Sequence, residues 1–223
     1  MNRFVSAGDC KRLLYHVADK INENKDWLTE LDSAIGDGDH GIGMAGGMQK
    51  VREQIGPLDD QGNAYLVFET AGKAMLMSMG GASGVIFGSM FLAGAKNMEP
   101  KQLLGRPELA ELFSKGLIAV KERGKARVGD KTMVDAFEPA VMAMAEYTGD
   151  CLIEMMDRAQ KASHEGMEST KDMTAAVGRA KSLMERAVGC QDAGAASTWI
   201  IFKAMSEWVR GLDEVEKEQV CND

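Results

Sequence analysis

The chain has 223 residues, 45% hydrophobic and 27% charged, which is enough for one substantial core, so a single domain is expected. With 26 lysines and arginines against 34 aspartates and glutamates, its formal charge is −8, and it lacks the basic bias of a nucleic-acid-binding chain. An anion bound by so acidic a chain must meet positive charge supplied locally, by a metal ion or by backbone N–H groups.

The N-terminal residues carry charges every few positions and no apolar run like a secretory signal. No stretch approaches the roughly 20 apolar residues of a membrane span. Cys10, Cys151, Cys190 and Cys221 are widely spaced and form no C-x-x-C pair, so they read as free thiols of a reducing compartment. The expected location is the cytoplasm, with no membrane or nucleic acid as partner.

Apolar residues recur at helical rather than alternating spacing. Phe4, Leu13, Leu14, Val17 and Ile21 fit helical faces, with "SAGD" (Ser6 to Asp9) as a capping box at the start. "DWLTELDSAI" is a short helix, and "GIGMAGGMQKVREQI" starts another from a glycine-rich turn. "NAYLVFETAGKAMLMSM" ends at Gly80-Gly81, and "SGVIFGSMFLAGAKNM" is apolar enough to be a buried helix. "PELAELFSKGLIAVKERG" opens on a proline suited to a helix N-terminus and ends at Gly124. "MVDAFEPAVMAMAEYT" contains Pro139, a potential kink. "DCLIEMMDRAQKASHEGMEST", "KDMTAAVGRAKSLMERAV" and "AGAASTWIIFKAMSEWV" complete a count of eight or more helices. Residues 1–210 form one domain in this reading, and 211–223 a charged, fraying C-terminal tail. The fold class is all-α, and short connections favour an antiparallel up-and-down bundle. Met75, Met77, Met142, Met144, Met155 and Met156 read as core filling. His16 and His164 are assigned no role.

"LDSAIGDGDHGIGM", Leu31 to Met44, departs from ordinary folding sequence. Asp32, Asp37 and Asp39 lie within eight residues and repel one another unless solvated or neutralised. A solvated acidic turn is the ordinary source of such a stretch. The functional alternative is a hard-cation site, since Mg²⁺ takes oxygen ligands and leaves room for phosphate oxygens and water. An EF-hand starting at Asp37 would need Glu where Met48 stands, and one starting at Asp32 would need Gly where Asp37 stands, so both registers fail. G-x-G-x-x-G occurs twice, at Gly36-Gly38-Gly41 and Gly41-Gly43-Gly46, but no strand precedes it, and Asp37 and Asp39 would repel a pyrophosphate unless a metal lay between, so a dinucleotide fold is rejected and the metal kept. No G-x-x-x-x-G-K-[ST] occurs.

Three further stretches share one form, a glycine turn before a helix. "GGASG" (Gly80 to Gly84) can offer N–H groups, a dipole end and the Ser83 hydroxyl to an anion, or it can be a tight helix crossing. "GDKTM" (Gly129 to Met133) supplies Thr132 or Asp130 as an N-cap. "GCQDAGAAST" (Gly189 to Thr198) supplies Asp192 in the same role.

The order "LDSAIGDGDHG", "GGASG", "GDKTM-DA", "GCQDAGAAS" resembles the nucleotide-binding L subunit of dihydroxyacetone kinase, over about residues 4 to 210. The resemblance implies an all-helical antiparallel barrel of about eight helices with ADP or ATP at one end. It implies two Mg²⁺ ions on Asp32, Asp37 and Asp39. It implies phosphates at the turn of His40 and Gly41, continuing through Ile42 and Gly43, and at the turn of Ala82 and Ser83. Gly124, Met133, Arg179 and the Asp192-Ala193-Gly194 turn would surround base and ribose. No catalytic side chain is assigned. The ketose would be held by a separate K-type subunit, so the chain is expected to be the nucleotide half of a phosphotransferase. In one branch of the family a phosphohistidine carrier of the phosphotransferase system recharges bound ADP; in the other, ATP is exchanged. The alternative reading is a non-catalytic regulator that keeps the nucleotide site. The family commonly has Asn where Gly43 stands and glycine where Met184 stands, and "GHQDPG" where Cys190 and Ala193 interrupt the pattern.

Overall fold

The computed structural model describes residues 4–177 and 187–220, the last eight of these (213–220) as backbone only. Nine α-helices occur among the described residues: α1 (Ala7–Glu23), α2 (Lys25–Ile35), α3 (His40–Ile55), α4 (Ala64–Ser78), α5 (Gly81–Ala95), α6 (Arg106–Gly124), α7 (Val134–Ala145), α8 (Leu152–Ser169) and α9 (Ala193–Val220). The only sheet among them is a two-residue pairing of β1 (Val5–Ser6) with β2 (Leu103–Leu104), antiparallel. The all-α expectation therefore holds.

Successive helices from α3 to α9 pack side by side, and α1 closes the ring against both α9 and α3. Eight helices thus make a closed antiparallel bundle. The ninth, α2, lies outside it against α3 and α9. Phe68, Phe91, Phe113, Phe137 and Phe202, from α4, α5, α6, α7 and α9, form a chain of ring contacts with centroids 5.3–6.4 Å apart. All are fully buried, and they join the helices across the interior. Between α5 and α6 the approach is close enough that Cβ atoms at Gly94 and Gly116 would collide with the carbonyls of Leu112 and Met90. Small residues set the helix spacing there.

Local signals explain most helix limits. Ser6 accepts from the Asp9 N–H and Asp9 accepts from the Ser6 N–H, so the capping box forms as expected. Pro107 sits in the first turn of α6. Pro139 lies inside α7, whose helix continues through it. Gly166 brings α8 directly onto the Asp135 carbonyl, which lies four residues before Pro139 and receives no N–H from it.

Three expectations change. Phe4 precedes β1 and is half exposed rather than lying on a helical face. Met75, Met144, Met155 and Met156 are fully buried, but Met77 and Met142 are 87% and 46% exposed. Each of these two lies two positions from a buried methionine, which in a helix is nearly the opposite face. The start of the helix expected over 171–188 is instead a single 3-10 turn, Thr170–Asp172, followed by irregular chain to Ala176, whose N–H bonds the Asp130 carbonyl. Residues 178–186, with Arg179 and Met184, lie outside the described residues, as does Cys221. The helix α9 runs to Val220, so the backbone of 211–220 is helical. No helix is long and apolar enough to cross a membrane among the described residues.

Candidate functional site

The connections before α3, α5, α7 and α9 meet at one end of the bundle. His40, the first residue of α3, joins two of them. Its Nε2 lies 2.8 Å from Ser197 Oγ on α9, its ring also bonds the Ala193 backbone, and its centroid is 5.9 Å from that of Phe87 on α5. Met133, just before α7, lies close to α9: a Cβ at Gly194 would be 3.3 Å from Met133 Cβ. Four helix N-termini, with their outward N–H groups and positive dipole ends, therefore point toward one region.

The acidic cluster lies at the first of these connections. Asp32 comes from the last turns of α2, and Asp37 and Asp39 from the link to α3. Carboxylate oxygens of all three lie within 4.8 Å of one another, with Asp32 half-buried and Asp37 and Asp39 exposed. One Asp32 oxygen accepts the N–H groups of Asp39 (3.0 Å) and His40 (3.1 Å), so this carboxylate also caps α3. Gly36 makes room for it, because a Cβ there would overlap the other Asp32 oxygen. Gly41 makes room on the other side: its missing Cβ faces the Lys25 carbonyl and the Thr29 hydroxyl of α2. Gly41 thus seats α3 on α2 and holds the three aspartates together. Oxygen donors at this spacing form a set of the kind that hard cations take.

The remaining turns differ in how their N–H groups are used. At α7, Thr132 Oγ1 accepts the Val134 N–H and Asp135 accepts the Thr132 N–H at 2.6 Å. Thr132 is therefore the capping residue. Asp130 instead accepts the Arg127 N–H within the loop. At α9, Asp192 accepts the Ala195 N–H at 2.7 Å, the expected N-cap. At α5, Gly80 provides no side-chain cap, and Gly81 has φ of 66°, a value that suits glycine. The first turn of α5, with Ala82 exposed and Ser83 half-buried, keeps N–H groups that no side chain has capped.

Ile42 is 62% exposed and Gly43 faces open space, whereas Gly41 is buried. Gly124 ends α6 and packs toward Ile86 of α5. The structure thus brings the aspartates, His40, Ala193, Gly194 and Met133 into one linked set, with Ala82 and Ser83 on α5 tied to it through Phe87.

Burial governs the titratable groups here. It drives the His40 pKa down, with Asp32 opposing, so the imidazole favours its neutral form. It pushes the Asp192 carboxyl up to about 7, and the nearby Asp135 and Asp32 carboxylates add to the rise. It also raises Asp135, although the Thr132 and Gly129 N–H groups work against the rise. Ser197 and Asp135 were not foreseen as site residues. Only Asp135 had a local signal, its place three residues after Thr132 in a capping box.

Residues 34–207 match the DAK2 domain. The chain belongs to this family. Among its relatives is the ADP-binding subunit DhaL of PEP-dependent dihydroxyacetone kinase 1 from Listeria innocua serovar 6a. The two are 36% identical over 194 residues, 87% of this chain and 92% of the relative. The corresponding ADP-binding subunit DhaL of Escherichia coli (strain K12) is 35% identical over 195 residues, 86% of this chain and 92% of the relative. The crystal structure of the dihydroxyacetone kinase from C. freundii in complex with AMP-PNP and Mg²⁺ superposes with a TM-score of 0.69 at 25% identity. That match covers 88% of this chain and 33% of the kinase, so this DAK2 chain corresponds to one third of that protein.

Proposed function

We propose that this chain is the Mg-nucleotide-binding subunit of a kinase for dihydroxyacetone or a related short ketose. The observation that carries the reading is the meeting, at one end of the bundle, of three clustered aspartates with helix N-termini of which α5 has no side-chain cap. Relatives that match it over almost their whole length bear the name of ADP-binding subunits, which supports the same reading.

Asp32, Asp37 and Asp39 would hold Mg²⁺, which when bound neutralises phosphate charge and lets an acidic turn serve as a phosphate site. The N–H groups of the first turn of α5, at Ala82 and Ser83, would take phosphate oxygens. The turn from His40 through Gly43 would lie beside them. Met133, Gly124 and the Asp192-Ala193-Gly194 turn would wall base and ribose, with Arg179 as a further contact. In phosphoryl transfer a protein acts chiefly by positioning groups and stabilising charge, and this set of residues is suited to that work.

The ketose would come from a separate K-type subunit that docks on this end of the bundle. The naming of the relatives as PEP-dependent and ADP-binding favours ADP as a retained cofactor, recharged by a phosphohistidine carrier of the phosphotransferase system. The site of action would be the cytoplasm.

The test is calorimetric titration of nucleotide-stripped protein with ADP, in Mg²⁺ and again in EDTA. Binding is expected only with Mg²⁺, and Asp37→Asn and Asp39→Asn are each expected to abolish it while circular dichroism shows the helices intact. Folded, stripped protein that binds no ADP, or mutants that bind as the wild type does, would overturn the reading.

A further inference from the structure

Lys131 is a deeply buried charge that the site as described leaves unused. Its backbone has φ of 60°, a left-handed conformation rare for lysine, which turns the side chain inward. Only 2% of the residue is exposed. Its Nζ donates to two main-chain carbonyls, Thr170 at the end of α8 and Cys190 in the turn before α9, each at 2.5 Å.

The groups around this ammonium fit one purpose. Asp135, 1% exposed, accepts the N–H groups of Gly129 and Thr132 on either side of Lys131 and so fixes the loop that carries it. Thr170 Oγ1, fully buried, accepts the Asp192 N–H at 3.0 Å. One cation therefore ties the loop that ends in Met133 to the turn that contains Asp192, Ala193 and Gly194. Burial draws the Lys131 ammonium below the usual lysine range, and the negative groups nearby, Asp192, Asp135 and Asp172 among them, oppose that fall. A buried lysine whose donors go to loop carbonyls is a costly way to stabilise a core, and an apolar side chain would fill the space at less desolvation cost. Its particular effect is to set the distance between two turns.

We infer that Lys131 is a positioning residue for the nucleotide, holding the Met133 loop and the Asp192–Gly194 turn at the separation that grips base and ribose. The inference rests on the Mg-nucleotide reading of the site. It makes a selective claim, because Lys131 is not among the aspartates of the acidic cluster and is not in the first turn of α5. Loss of the ammonium should harm the base and ribose wall and spare the phosphate end.

The experiment compares Mg-ADP with Mg-pyrophosphate, which has phosphates but no base or ribose, by calorimetry on wild type, Lys131→Met and Lys131→Arg. For Lys131→Met, ADP affinity is expected to fall about 10- to 100-fold while pyrophosphate affinity stays within about twofold. Lys131→Arg, which keeps donors for both carbonyls, is expected to recover much of the ADP affinity. Unchanged ADP binding in Lys131→Met, or equal losses for both ligands, would overturn the inference. If Lys131→Met does not fold, Lys131→Gln, which retains one donor, takes its place in the same comparison. Wild-type protein that binds no Mg-ADP would instead defeat the reading of the site, and this inference with it.

Discussion

His40 Nε2 and Ser197 Oγ lie 2.8 Å apart, joining the first residue of α3 to the second turn of α9 across the bundle. Ser197 is fully buried and His40 is 8% exposed, so neither has ready access to water as a substitute partner. Ser197→Ala leaves a buried ring nitrogen without its contact, and the expected cost is about 1–3 kcal/mol. Urea unfolding measures it. His40 stands beside the aspartate cluster, so Mg-ADP affinity should fall in the same variant. A loss of stability with no change in affinity would limit the pair to a structural role.

Asp192 makes stability depend on pH. Its carboxyl is pushed up to about 7 in the folded chain from an ordinary 3.8, chiefly by burial. Between those values the folded chain holds a proton that the unfolded chain has released. This contribution to stability is therefore complete below the lower value, declines as pH rises through the window, and is lost above about 7. Asp192→Asn keeps an oxygen for the Ala195 N–H and removes the titration. Unfolding midpoints across about pH 5 to 8 should slope downward less in the variant. Parallel slopes would show that other groups control the pH dependence.

Gly41 and Gly43 stand two residues apart in one helix and should respond in opposite ways. A Cβ at Gly41 meets the backbone and Thr29 hydroxyl of α2, whereas one at Gly43 meets nothing within 4 Å. Gly41→Ala should push α3 from α2, cost about 1–3 kcal/mol, and weaken Mg-ADP binding by spreading the aspartates. Gly43→Asn should change stability by no more than about 0.5 kcal/mol. Thermal melts and calorimetry on the pair test both. Equal destabilisation by the two substitutions would contradict the packing described.

Met75 and Met77 provide the same contrast in the core. Met75 is fully buried and Met77 is 87% exposed. Met75→Ala should cost about 2–5 kcal/mol, and Met77→Ala no more than about 0.5 kcal/mol. Denaturant midpoints of the two single variants decide it.

These pairs also mark how far the residues could be read without the fold. The capping box at Ser6 and the cap at Asp192 were legible because both ends of each contact lie within three residues. The acidic cluster was legible for the same reason, since its three aspartates fall within eight positions. Gly41 and Gly43 were not separable, because what each faces belongs to another helix. Thr132 and Asp130 were equal candidates to cap α7, and the direction in which each side chain turns decided for Thr132. The start of the helix expected from Lys171 is not helical because chain of helical composition finds its partner across the structure, in the Asp130 carbonyl.

The order of residues alone is enough for the helical class, most helix limits and the presence of an acidic turn among glycines. Helical period, caps and turn residues act within a few positions, and those interactions are already present in the order of the residues. Only the packing of the folded chain settles that eight helices close a ring with α2 outside it, that His40 meets Ser197 157 positions away, and that Lys131 ties two distant turns together. Such contacts depend on which helix faces meet, and buried polar groups must find partners wherever the packing brings them.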